Sequence, residues 1–188
     1  MKHSRLLITM VIIVAAVAFG AFAFLRGSNS RSYAIPEDVC GVQVRPDSLE
    51  PLLPEGQEIS QSREGAEDSS SPLLLLGCDI DVDGEGAVNL IVERLTTERS
   101  VIERYEAVPG GYGMQNPSET TINGHQALVG PDGSLVQIPC HSNEANTVLA
   151  INVQLYNPES ADPETGLTDM ENFTEDFTTS AAATYGCG

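Results

Sequence analysis

The sequence predicts an α+β domain carried by one N-terminal transmembrane helix and stabilised by disulfides. Three observations predict it. An unbroken apolar run from Leu6 to Leu25 lies between Lys2 and Arg5 on one side and Arg26 and Arg31 on the other. Further on, apolar segments with period-two alternation come in pairs around Gly-containing turns, the pattern of an antiparallel sheet. Near the end, Leu167, Met170, Phe173, Phe177 and Ala181 recur at three- and four-residue steps, the stripe of an amphipathic helix. Helix, hairpin, helix, sheet and helix in that order belong to an α+β fold, with helices packing an antiparallel sheet.

Residues 6–25 form a run of about 30 Å at roughly 1.5 Å rise per residue, enough to cross a bilayer once. Residues 1–5 are then a cytoplasmic tip, 26–35 a short polar tether, and 36–188 an extracytoplasmic domain. A cleaved secretory signal shares the basic start, and Ala21-Phe22-Ala23 offers a small-x-small site. The run is longer than the usual signal centre of about 7–15 residues, and Arg26 follows it directly. An uncleaved signal-anchor is therefore the expectation, with secretion after cleavage near Ala23 as the alternative. Flanking charge only weakly favours a cytoplasmic N-terminus. No cysteine lies in or beside the run, so a lipid-modified cysteine is not available as an anchor.

Beyond Arg31 the chain holds all 27 acidic residues and five basic ones, Arg45, Arg63, Arg94, Arg99 and Arg104, a formal charge of 5 − 27 = −22. Lys2 is the only lysine. This balance argues against binding nucleic acid or an anionic lipid surface. It suits a soluble domain among cations or one that meets basic partners. Cys40, Cys78, Cys140 and Cys187 all follow the apolar run, and they contain no CxxC pair that would suggest a zinc ribbon or a redox motif. An even number outside the membrane reads as two disulfides, and it places the domain on the oxidising side. Three pairings are possible; Cys40–Cys78 and Cys140–Cys187 are favoured, because each joins an early segment to the next core element. Four reduced, buried thiols facing the cytoplasm are the competing reading.

Pro46 or Asp47 can start a short helix that Pro54 ends, with acidic residues in its first turn. Residues 55–71 are almost devoid of apolar side chains and read as an exposed acidic loop. Residues 73–82 read as a strand, Asp83-Gly84-Glu85-Gly86 as a turn, and 87–95 as the returning strand, the clearest hairpin in the chain. Residues 97–107 suit a helix with Val101, Ile102 and Tyr105 on one side. Gly110-Gly111-Tyr112-Gly113 reads as a loop, with Tyr112 as a candidate for partner contact; it lacks the Lys of a phosphate loop. Residues 120–129 and 134–140 read as strands around Gly130-Pro131-Asp132-Gly133, residues 141–147 as a turn, and 148–156 as a strongly apolar strand. The last helix is expected over about 167–183.

Few motifs carry chemistry. Asp79-x-Asp81-x-Asp83-Gly84 opens like a calcium loop, but the position that should hold a bidentate Glu is Leu90. Asp79, Asp81 and Asp83 remain weak metal candidates beside the simpler reading of a solvated hairpin. His125 and His141 lack any HxxxH or HExxH spacing. No Gly-x-Ser-x-Gly elbow occurs, and no nucleophile, base and orienting group assemble from the sequence. Asn172-Phe173-Thr174 is a glycosylation sequon by letters, inside the expected last helix. No catalytic residue and no cofactor is assigned.

Cys40 before a short helix, Cys78 in a hairpin, Gly124-His125-Gln126-Ala127, and Cys140 ahead of a closing helix together resemble a family of actinobacterial cell-envelope proteins, many of them lipoproteins. The resemblance covers roughly residues 36–187. It implies an envelope-exposed α+β domain with disulfides and brings no catalytic residues. This chain departs from the family in carrying an apolar span in place of a lipid-anchor cysteine. The functional expectation is a non-catalytic binding or scaffold module of the cell envelope, anchored through residues 6–25 and meeting an envelope protein partner. The alternative is a sensor of a small ligand, lipid or cation, with an apolar pocket between sheet and last helix.

Overall fold

The sheet is built from hairpins whose turns are written in the sequence. The computed structural model describes residues 31–65, 75–95, 100–107, 113–140, 147–157, 161–162 and 164–187. Its strands are β1 (Asp38–Val39), β2 (Val42–Gln43), β3 (Ile59–Glu64), β4 (Leu75–Val82), β5 (Glu85–Leu95), β6 (Ser118–Ile122), β7 (His125–Gly130), β8 (Gly133–Cys140) and β9 (Thr147–Leu155). Its helices are α1 (Pro46–Leu49), continued by a 3-10 turn over Glu50–Leu52, then α2 (Val101–Ala107) and α3 (Gly166–Tyr185). Asp83-Gly84 and Asn123-Gly124 carry positive φ at both residues. That is the backbone of a two-residue turn matched to the twist of its strands.

β3 to β9 form one antiparallel sheet in the order β3-β4-β5-β9-β8-β7-β6, and β1 and β2 form a separate small hairpin. The α+β class and the two disulfides are thus present. One face is apolar. Leu76, Cys78, Ile80 and Val82 of β4, Val88, Leu90 and Val92 of β5, and Leu149, Ile151 and Val153 of β9 are buried in a single cluster. α3 lies across this face on β6 to β9, while β1–β2 and α1 pack against α3 and the β4 side. Met170, Phe173, Phe177 and Ala181 are the buried stripe of α3. Phe173 and Phe177 stack tilted with ring centroids 5.8 Å apart.

Polar ties fix the layers. Ser134 of β8 and Thr174 of α3 share a buried hydroxyl hydrogen bond of 2.7 Å. Asp176 of α3 accepts from the Arg45 backbone N–H at 2.6 Å, from Arg45 Nε at 3.1 Å and from the Ser48 hydroxyl at 2.8 Å. Disulfides join Cys40 to Cys78 and Cys140 to Cys187. The first holds the β1–β2 hairpin on β4, and the second holds the end of α3 on β8.

Several sequence expectations are corrected. The loop expected over 55–71 contains β3 at Ile59–Glu64; residues 66–74 lie outside the described residues. The turn expected over 83–86 is only Asp83-Gly84, and Glu85 already pairs with Val82. The single strand expected over 120–129 is the β6–β7 hairpin, turning at Asn123-Gly124. The tether expected over 26–35 is, from Arg31 onward, laid on the domain. Arg31 reaches Glu50 at 2.8 Å and the Leu53 carbonyl at 2.6 Å, Ser32 donates to Gln57, and the Tyr33 hydroxyl donates to the Pro54 carbonyl. Among the described residues no helix is long and apolar enough to cross a membrane; residues 6–25 lie outside them.

Candidate functional site

The second face of the sheet is divided. Over β7 and β8 it is covered: Val101 of α2 and Met114 are buried with Leu128 and Leu135, and Tyr105 packs beside them. Over β3, β4 and β5 it presents mostly polar side chains, with Leu75 and Ile91 among them, because alternate residues of these strands are turned away from the core. Cross-strand register sets Ser62 against Asp79, Asp79 against Asn89, and Asn89 against Gln154. One row of small polar groups therefore runs across four neighbouring strands. The next strand along supplies Gly133, where Met114 sits within 2.8 Å of the position a Cβ would take and marks the covered half.

At the hairpin end of this row stands Tyr156, 53% exposed. Its hydroxyl donates to Asp79 Oδ1 at 2.5 Å, and Asn89 Nδ2 donates to the same oxygen at 2.7 Å. The hydrogen bond to the Asp79 carboxylate, helped by partial burial, pushes the Tyr156 pKa up to about 12. The ring rests on Gly86. A Cβ there would lie 2.6 Å from Cδ2, 2.8 Å from Cγ and 2.9 Å from Cε2 of the ring. Three adjacent ring atoms at nearly equal distance mean contact with the ring face, since an edge-on approach would leave the flanking atoms well behind. Only a glycine leaves room for this ring. A cleft of about 610 Å³ opens beside it, lined by Pro54, Glu55, Asp83, Glu85, Tyr156 and Asn157 among others.

The candidate metal residues do not converge. Asp79 is engaged by Tyr156 and Asn89, while Asp83 Oδ1 accepts from the backbone N–H groups of Gln57 and Glu58 at 2.9 Å each. Among the described residues no group of three His, Cys, Asp or Glu side chains is placed to hold a metal ion. Asp81 is half-buried on the open face beside Ser60 and Gly86. His125 begins β7, and Tyr112 and His141 lie outside the described residues. Met170, Phe173 and Phe177 are buried between the sheet and α3, the place to which the alternative sensor reading assigns a pocket.

Beneath α2 lies a cavity of about 30 Å³, lined by Ile91, Glu93, Arg104, Leu135, Ala150 and Asn152. Arg104 pairs with Glu93 at its rim. Asn152 is 3% exposed and gives its amide N–H to the Ser134 carbonyl at 3.0 Å, leaving its Oδ1 without a protein donor. Arg104 Nε is likewise without an acceptor. A cavity of this size and polarity suits one water molecule bridging such groups.

No protein-family model, curated protein or solved structure matches the chain. The resemblance to envelope proteins rests on its motifs alone. Sequence reading missed Ser60, Ser62, Asn89, Gln154 and Tyr156 as site residues. The available signal was their alternation with core residues, which puts them on the face opposite the apolar cluster.

Proposed function

We propose that this chain is a single-pass, membrane-anchored extracytoplasmic protein. Its outer domain acts as a non-catalytic binding or scaffold module of the cell envelope, presenting the open half of its sheet to another envelope protein. The observation that carries the reading is the row Ser62, Asp79, Asn89 and Gln154, spread over four neighbouring strands and flanked by the exposed ring of Tyr156. Short side chains on a regular sheet let a partner approach closely. Their hydroxyl, carboxylate and amide groups give it directional hydrogen bonds, while the ring offers the kind of anchor that dominates interface energies. Two disulfides support the oxidising side of the membrane, where such bonds persist. The same bonds carry the orientation, which flanking charge favours only weakly, and the outer domain begins after the apolar run at residues 6–25.

The test is a photo-reactive residue at Ser62 in the full-length protein in its own membrane, with captured neighbours identified by mass spectrometry. One dominant envelope protein is expected, still attached to an uncleaved chain. Absence of any protein above background from Ser62 overturns the binding-face reading. Recovery of a chain starting near Ala23 overturns the anchor and leaves a secreted protein.

A further inference from the structure

We propose that the cleft beside the β4–β5 hairpin receives a lysine or arginine side chain from a basic segment of the protein partner, seated against the outward face of Tyr156. The inference rests on the binding-module reading and names what the module recognises. One face of the ring is fixed on Gly86 and half of the residue is exposed, so the opposite face is turned to solvent. A cation over such a face is attracted by the ring quadrupole. Donation of the Tyr156 hydroxyl to the Asp79 carboxylate holds the ring in place and leaves it richer in electrons. Position and electronics are therefore set before any ligand arrives.

The surroundings select the sign of the ligand. Glu55, Asp83 and Glu85 line the cleft, and among the described residues no lysine, arginine or histidine does. Asp83 is committed to the Gln57 and Glu58 N–H groups, while Glu55 and Glu85 are exposed. The nearby Arg31 is held by Glu50 and the Leu53 carbonyl. The domain as a whole carries five arginines against 27 acidic residues, so a basic segment is drawn in from a distance and an acidic one is turned away. Pro54 and Val82 supply apolar wall for the methylene stem of a long basic side chain.

The experiment titrates full-length protein in lipid nanodiscs with a tetra-arginine peptide and with a tetra-citrulline peptide of the same length and shape but no charge. Binding is read from the Tyr156 ring and Gly86 amide signals in NMR spectra. The arginine peptide is expected to bind, more weakly as salt rises, and the citrulline peptide is not. Tyr156→Ala should weaken binding about five- to tenfold. Gly86→Val, which displaces the ring, should do the same. Tyr156→Phe keeps the ring on Gly86 but loses the tie to Asp79, so it should weaken binding less than Tyr156→Ala does, which controls for folding. Glu55→Gln with Glu85→Gln should weaken binding, and Glu171→Gln with Glu175→Gln on α3 should not. Equal binding of both peptides, an unchanged affinity in Tyr156→Ala, or equal losses from the two glutamate pairs would overturn the proposal. Failure of the arginine peptide while Ser62 still captures a protein would refute the cationic contact and leave the binding module standing. Binding at Tyr156 without any captured protein would do the reverse.

Discussion

Tyr156 and Ser134 show how single residues hold this structure in two different environments. The Tyr156 pKa is raised above the ordinary phenol value of 10.0, to about 12. Its hydrogen bond to Asp79 is therefore fully present below pH 10 and is lost as pH rises through 12. In an ultraviolet phenolate titration of the five tyrosines, one is expected to ionise last, near pH 12. That late step should vanish in Tyr156→Phe; its persistence would place the raised group elsewhere. Ser134 and Thr174 behave differently because both are buried. Removing one hydroxyl leaves the other less satisfied and should cost about 1–3 kcal/mol. The pair Ser134→Ala with Thr174→Val should cost less than the two single changes added together, measured by denaturant unfolding. Strict additivity would mean the two hydroxyls are not coupled.

Elements differ in how openly the sequence announced them. The β4–β5 hairpin, the apolar strand β9 and the helix α3 were legible because period and burial coincide: alternate residues of β4 and β5 are buried, and so is the expected stripe of α3 except Leu167, which is exposed. β3 was not. Ile59-Ser60-Gln61-Ser62-Arg63-Glu64 has no apolar alternation because it lies at the sheet edge, with Ser60 and Ser62 on the open face. Its other face is closed by amide chemistry, with Gln61 accepting from Cys40 N–H and donating to the Asp38 carbonyl. The β6–β7 hairpin was hidden by an apolar run on its far side, although Asn123-Gly124 was the signal for a turn. The candidate site was least legible, since Asn89 and Gln154 become neighbours only when β5 pairs with β9. For α3, Phe173→Ala removes a fully buried ring and should cost about 3–5 kcal/mol in chemical unfolding. Exchange of the exposed Leu167 should change stability by less than about 0.5 kcal/mol.

At the scale of the whole molecule, the sheet is two meanders, β3-β4-β5 and β6-β7-β8-β9, meeting where β5 pairs with β9. The Cys40–Cys78 bond lies within the first half and Cys140–Cys187 within the second, which includes α3. Each should contribute roughly 2–5 kcal/mol, so thermal unfolding in reductant should begin at markedly lower temperature than in its absence. An unchanged melting temperature would mean that neither bond is formed in the purified protein.

The placement of these two bonds also decides how the domain responds to being pulled. Drawn by its two ends, the chain carries load through each sulfur bridge rather than through the stretch that the bridge bypasses. The loops closed by Cys40–Cys78 and Cys140–Cys187, with sequence separations of 38 and 47, are kept out of the stretched length. Only the chain from Cys78 to Cys140 can pay out between them, roughly 200 Å when drawn straight. The folded domain can therefore lengthen only as far as that middle stretch allows, and reduction of the two bridges releases the rest.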